Sequence, residues 1–154
     1  MMNRYMQEAI AEAYNGIKKQ EGGPFGSVVV KNGEIVGKGH NQVLLCKDPT
    51  CHGEVQAIRD ACKTLNTYDL SGCELYTTGE PCPMCLAACK WANLKKVYYG
   101  CTIQDNADIG FRDELFYNLF GINKTLVADF LECIDRDACK ELFDTYKKLD
   151  KTIY

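Results

Sequence analysis

The sequence predicts an α/β fold, a mixed β-sheet covered by helices on both faces, and three observations carry that prediction. Residues 25–41 hold two β-rich runs around Asn32-Gly33. This is a hairpin signal, because both central positions of such a turn need φ > 0. Beyond the hairpin, helical and extended segments alternate, the order that builds a mixed sheet with helices on both sides. The helical segments carry their apolar residues on one face, as helices that lie on a sheet do.

The elements follow in order. Met6, Ala9, Ile10, Ala13 and Ile17 share a helical face, so a helix is expected from about Asn3 to Gln20, ended by Gly22-Gly23-Pro24. The hairpin strands come next. Cys46 to Thr50 reads as a turn. Val55, Ile58, Cys62 and Leu65 define a second helix that starts near His52. Cys73 to Thr78 reads as a strand. Pro83 suits the first turn of a third helix running to about Trp91. Lys95 to Gly100 is a short strand, and Cys101 to Asp113 a polar, Gly-containing connection. A further strand is expected at Thr125 to Ala128. Ile134, Ala138, Leu142, Tyr146 and Leu149 mark a last helix. No repeat, low-complexity tract or linker interrupts residues 1–154, so one domain is expected.

Composition bounds the function. The 154 residues are 46% hydrophobic and 25% charged, as in an ordinary globule large enough to bury a core. No apolar run approaches a membrane span. The first twenty residues carry Glu8, Glu12 and helical periodicity rather than a secretory leader, so a cytoplasmic protein is expected. In that reducing compartment the ten cysteines serve metal binding, catalysis or packing rather than disulfides. The net charge of −3 favours a small uncharged substrate over a nucleic acid, which calls for a basic face. Lys95-Lys96 and Lys147-Lys148 are the only Lys pairs outside the first helix, and each reads as a plain solvated face.

The chemistry sits in two short pieces, His52-Gly53-Glu54 and Pro81-Cys82-Pro83-Met84-Cys85. Together they read H-x-E followed by P-C-x-x-C, the signature of zinc deaminases of nucleobases. Two cysteines spaced this way at a helix start can converge on one ion, and His52 adds a nitrogen from the start of another helix. Three protein ligands leave the fourth tetrahedral position of a catalytic zinc open. The helix N-termini favour thiolates there. Glu54, two residues from His52 and not needed as a ligand, can carry protons. A Cys-x-x-Cys alone also fits a redox pair or a structural zinc with a fourth ligand, for which Cys51, Cys89 and His40 are candidates. Cys89 reads as a small core residue and His40 as structural or solvent-facing.

At these residues the chain resembles the cytidine deaminase-like superfamily. The resemblance implies a three-layer α/β/α sandwich around a five-stranded mixed sheet, and one Zn2+ per subunit held by His52, Cys82 and Cys85. It narrows at Gly22 to Gly26, Asn41, Asp48-Pro49-Thr50, Glu80 to Cys85 and Gly110-Phe111-Arg112-Asp113, which resemble bacterial guanine deaminases. That implies hydrolysis of guanine to xanthine and ammonia, with Glu54 as proton shuttle and Asp113 as a second carboxylate near the exocyclic nitrogen. Asn41 would hydrogen-bond the base, and Tyr154 would reach a neighbouring protomer's site in a homodimer that exchanges C-terminal segments. From the residues alone, Asn41 could instead cap the hairpin, Asp113 could cap a helix from Glu114, and Tyr154 could be a frayed end. Phe25 could stack on a base, although an aromatic beside a strand is more often core, and Trp91 reads as core too.

Gly53 departs from the alanine usual in the superfamily. It is expected to enlarge the pocket floor or loosen the helix start, and so to bear on substrate preference. Cys51 is a second unusual residue, open to oxidation or stray metal binding. Three other readings compete, one of them deamination of another free base such as a pyrimidine or a pterin-like ring. A tRNA adenosine deaminase shares Asp48-Pro49-Thr50 and the zinc motifs but needs a basic surface for a loop nucleotide. A non-enzymatic zinc module would lack a proton shuttle, whereas Glu54 is present.

Overall fold

Asn3 starts the first helix. Its side-chain oxygen accepts from the N–H groups of Tyr5 and Met6, satisfying donors that a helix start leaves free. In the computed structural model, which describes residues 1–154, this helix is α1 (Arg4–Lys18), and it buries Met6, Ala9, Ala13 and Ile17. The hairpin follows as β1 (Gly26–Lys31) and β2 (Glu34–His40), with Asn32 and Gly33 both at positive φ. A short helix, α2 (Val43–Cys46), precedes α3 (Gly53–Leu65); the sequence pattern missed α2 because four residues show no periodicity. Then come β3 (Glu74–Gly79), α4 (Pro83–Trp91) and β4 (Lys96–Cys101).

The expected connection from Cys101 to Asp113 is partly helical. It holds α5 (Ile103–Asp108), closed at its start by a reciprocal Thr102–Asp105 capping box, and it leads into α6 (Asp113–Phe120). Asp113 is the first residue of α6, not its cap. The strand expected at Thr125 to Ala128 is a 3-10 turn, Lys124–Val127. The fifth strand is instead the adjacent β5 (Leu131–Cys133), followed by α7 (Arg136–Lys147). Asn123 accounts for the difference: its side chain accepts from Thr125 N–H and starts a helical turn where β-branched Thr125 and Val127 suggested extension.

The five strands run in the order β2-β1-β3-β4-β5. β1 pairs antiparallel with β2 and β3, while β3–β4 and β4–β5 are parallel. The sheet is therefore mixed, as expected. Alternation along the strands splits its residues between two cores. Val29, Leu75 and Val97 pack with Ala57, Ala61, Leu86 and Cys89 of α3 and α4. Val28, Val30 and Tyr76 face the α1 side, where Met6, Ala9, Ala13, Leu142 and Phe143 join α1 to α7. The result is a three-layer α/β/α sandwich. Trp91 lies outside it, 85% exposed at the end of α4, because the apolar side of that short helix is met by Leu86 and Cys89. No helix is long and apolar enough to cross a membrane. All ten cysteines are free.

Close backbone approach positions α3. A Cβ on Gly37 of β2 would stand 2.6 Å from Ala57 O and Ala61 N, so this glycine lets α3 lie directly on the strand. The buried stripe of α3 is accordingly Gly53, Glu54, Ala57 and Ala61, rotated from the expected Val55-Ile58-Cys62-Leu65 face. The rotation turns Glu54 inward.

His40 is structural. Its ring is buried beside Gly16, with Nδ1 2.9 Å from Glu12 and Nε2 2.5 Å from Glu21. Glu12's hydrogen bond raises the imidazole pKa; burial opposes this, and Glu21 adds to it. A raised folded value means that the clamp's stabilisation is complete below the unfolded value of about 6.5 and is lost as pH rises through the folded value. Replacing His40 with Gln is therefore expected to cost about 1–3 kcal/mol near pH 6. The cost should shrink as pH rises past the folded value, read from denaturant midpoints of both proteins across pH. A difference independent of pH would show that the charge is irrelevant.

Candidate active site

Two helix starts face each other over the ends of β1 and β3. His52 precedes α3 and Cys82 precedes α4, both with extended backbone, and Cys85 lies in the first turn of α4. His52 Nδ1 stands 3.6 Å from Cys82 Sγ and 3.5 Å from Cys85 Sγ, and the three donor atoms all lie within 4.8 Å of one another. A tetrahedral zinc, about 2.3 Å from sulfur and about 2.0–2.1 Å from nitrogen, puts nitrogen and sulfur about 3.6 Å apart. The donor set therefore fits such an ion in chemistry and in spacing.

The electrostatics of the pair agree. The Cys85 thiol donates to Cys82 and lowers its pKa; burial opposes this, His52 assists, and the net effect holds Cys82 down to about 4. Burial pushes Cys85 the other way, well up. Burial also works against charge on His52, but the hydrogen bond and charge of Cys82 outweigh it and raise its pKa. A cation between the two sulfurs would favour the thiolate form of both. Cys89 sits in the apolar core and Cys51 accepts from Arg59 Nη1 at 3.7 Å, so neither joins the cluster.

Glu54 is buried beside these ligands. Thr77 Oγ1 donates to its Oε1 at 2.8 Å, and Ser27 Oγ donates to Thr77 Oγ1 at 2.8 Å. Ser27 and Thr77 are cross-strand partners in the β1–β3 pairing, so sheet register aims this relay. Burial raises the Glu54 pKa, and the negative charge of Cys82 adds to it.

A small cavity of about 30 Å³ is lined by Phe25, Asn41, His52, Glu54, Glu80, Cys82, Phe111, Asp113 and Tyr154. Apart from Cys85 and Gly53, the residues expected at the site from the sequence all line it. Cys85 is fully buried as the third member of the metal cluster. Gly53 lies behind the wall, where a Cβ would stand 2.9 Å from Phe25 O. Its lack of a side chain makes room for the Phe25 backbone rather than for the pocket floor.

Asn41 Oδ1 accepts from Val43 N–H at 3.1 Å, which leaves its NH2 group free on a residue lining the cavity. Phe25 packs edge-on against Phe111 and Phe143, serving both core and pocket. Asp113 is pushed up to about 7, first by burial and then by Cys82, while the Asn106 amide pulls it back. Tyr154 OH accepts from Gly23 N–H at 3.1 Å and its ring meets Phe111, so within the single chain the C-terminal tail covers its own site. Beyond it a larger, mostly apolar recess of about 360 Å³ opens between Val43, Pro49, Met84, Phe116 and Phe120.

Ser27, Thr77, Asn106 and Phe111 were not singled out from the sequence. A short hydroxyl in a strand or an amide in a connection carries no spacing signal. Only the Gly110 to Asp113 segment pointed to Phe111.

Comparison with known proteins agrees with this geometry. A family model described as the cytidine and deoxycytidylate deaminase zinc-binding region matches residues 1–101. The chain is 48% identical over 113 residues to the guanine deaminase of Bacillus subtilis, covering 73% of this chain and 72% of that one. It is 46% identical over 95 residues to the tRNA-specific adenosine deaminase of Aquifex aeolicus, covering 62% of each. The X-ray structure of the Bacillus subtilis guanine deaminase superposes with a TM-score of 0.74 at 38% identity, over 99% of both chains.

Proposed function

The chain belongs to the cytidine and deoxycytidylate deaminase zinc-binding family, and we propose that it is a zinc-dependent guanine aminohydrolase, converting guanine and water to xanthine and ammonia. The observation that carries this reading is the convergence of His52, Cys82 and Cys85 beside buried Glu54, in a cavity closed by Phe25, Phe111 and Tyr154. One Zn2+ per subunit, bound by the three ligands, would supply hydroxide at neutral pH by lowering the pKa of a water to about 7.

The chain's own residues account for the rest. Glu54, its Oε1 fixed by Thr77, takes the water's proton on the remaining oxygen and returns it to the base. Its raised pKa suits it to both receiving and giving that proton. The Asn41 NH2 group meets an acceptor on the purine edge. Phe25 and Phe111 pack against the ring. Once the water's oxygen is bonded to C2, Asp113, whose pKa burial raises, hands a proton to the departing 2-amino group. Glu54 takes the proton of the C2 hydroxyl, so that the C2–N bond breaks and ammonia leaves with xanthine's C2 carbonyl in place. The proton on Glu54 then replaces the one Asp113 gave up. Tyr154 covers one side of the site, while the apolar recess that shares His52, Cys82 and Asp113 with it gives the base its way in.

Two features favour guanine over an adenosine in tRNA. The tail, held by Tyr154 on Gly23, covers one side of the site and narrows the approach that a polynucleotide would use. The net charge of −3 gives no phosphate-binding surplus. Purified protein is expected to convert guanine to xanthine, followed by the ultraviolet change. Inosine formed in an anticodon stem-loop, with guanine untouched, would overturn the reading.

We place the protein in the cytoplasm, where its free cysteines stay reduced. We also assign it a homodimer that exchanges C-terminal segments, so that Tyr154 serves the neighbouring site from the position it holds here in its own chain. Leu115, Leu119 and Phe120 of α6 are exposed together near the site, an apolar face suited to a second copy. Sedimentation should give twice the chain mass; a stable, active monomer would exclude the shared site.

A further inference from the structure

We propose that Asn106 is a positioning residue for deamination: its side-chain amide holds one oxygen of Asp113 so that the other faces the reacting base. The inference rests on the deaminase reading above and deepens it.

Asn106 is fully buried on α5, next to the pocket but not on its wall. Its Nδ2 donates to Asp113 Oδ2 at 3.0 Å and, more weakly, to Glu80 O at 3.4 Å. The second observation is independent of the first. Asn106 Oδ1 is the one buried side-chain polar atom without a hydrogen-bond partner in the chain. An apolar side chain of similar shape would spare that unpaired acceptor, but it would leave Asp113 Oδ2 and Glu80 O without this donor. What the amide supplies is a donor aimed at Asp113. Asp113 Oδ1 makes no hydrogen bond within the chain and is left for the pocket.

The aim is rigid. The Asn106 N–H donates to Thr102 O, its carbonyl accepts from Phe111 N–H, and the capping box closes the helix start. The neighbouring Asp105 is tied to α7 by two hydrogen bonds from Arg136, at 2.9 and 2.8 Å. Burial opposes charge on Asp105, but those bonds and the Thr102 donors hold its pKa down to about 2, so the tie persists throughout the working pH range. α5 thus fixes Asp105 on one side and presents Asn106 on the other, seven residues before the carboxylate it holds.

The test is a double-mutant cycle between Asn106→Leu and Asp113→Ala, measured on the residual turnover of whichever base the wild-type protein deaminates. A failure of the guanine reading would show in the wild-type assay alone, and a failure of this inference in the cycle alone. Asn106→Leu is expected to lower kcat by about 10–100-fold, with KM changed by less than about 3-fold. Its thermal midpoint should shift by only a few degrees, since the unpaired Oδ1 goes while Asp113 Oδ2 and Glu80 O lose a donor. In the Asp113→Ala background the same change should lower kcat by less than about 3-fold, because the acceptor it holds is gone. An unchanged kcat, or an equal loss in both backgrounds, would overturn the proposal. Should Asn106→Leu not fold, Asn106→Ser, whose hydroxyl is too short to reach Asp113, is read against the same kcat criteria.

Discussion

Glu54→Gln is expected to lower kcat by about 10³-fold or more while leaving the metal in place. General acid–base groups contribute about 10²–10⁴-fold, and this carboxylate is asked to move protons in both halves of the reaction. Gln keeps the shape and still accepts from Thr77, so the pocket should be undisturbed. Glu54 is outside the ligand set, so zinc content by elemental analysis should match the wild type. Stability should hold or rise, because the change removes a carboxylate that burial already disfavours. Activity and zinc lost together would make Glu54 a structural group. Activity retained with zinc bound would leave the chain a zinc module without the proposed chemistry.

Cys85→Ala is expected to abolish both zinc and turnover, whereas Cys89→Ala is expected to spare both. The two cysteines are one helical turn apart and both fully buried, so burial does not separate them. Their neighbours do. Cys85 Sγ lies 3.5 Å from His52 Nδ1, while Cys89 packs among Ala57, Leu86 and Leu94. Losing Cys85 leaves two protein ligands and a buried Cys82 without its partner. The expected loss is at least about 10³-fold in activity, together with the stability that metal binding lends the fold. Cys89→Ala removes one buried sulfur from a close-packed core and should cost about 1 kcal/mol. Zinc content, activity and denaturant midpoint, measured on both variants, separate the cases. Zinc retained by Cys85→Ala would mean that the ligand set is wrong.

The metal triad and the helices that carry it were legible because their signals are local. His52 and Cys82 each precede a helix, and Cys-x-x-Cys at a helix start converges by backbone geometry alone. The Asn32-Gly33 hairpin was legible for the same reason, since its turn chemistry lies in adjacent residues. The fifth strand was not, because three residues at a sheet edge carry too short a pattern to compete with the neighbouring Thr-Leu-Val run.

The sequence by itself therefore determined the α/β order, the three residues that cluster as a candidate ligand set and the glutamate next to them in the chain. The tertiary structure decided what surrounds them. Register between β1 and β3 brings Ser27 to Thr77 and so to Glu54. Packing of α5 against α7 aims Asn106 at Asp113. Burial between α1 and the loop at Glu21 fixes His40 as a clamp rather than a ligand. Gly53, which from the sequence looked like a matter of pocket size, gives way to the Phe25 backbone. Ligand spacing is written along the chain, but a hydrogen-bond partner fifty residues away exists only once the sheet has closed.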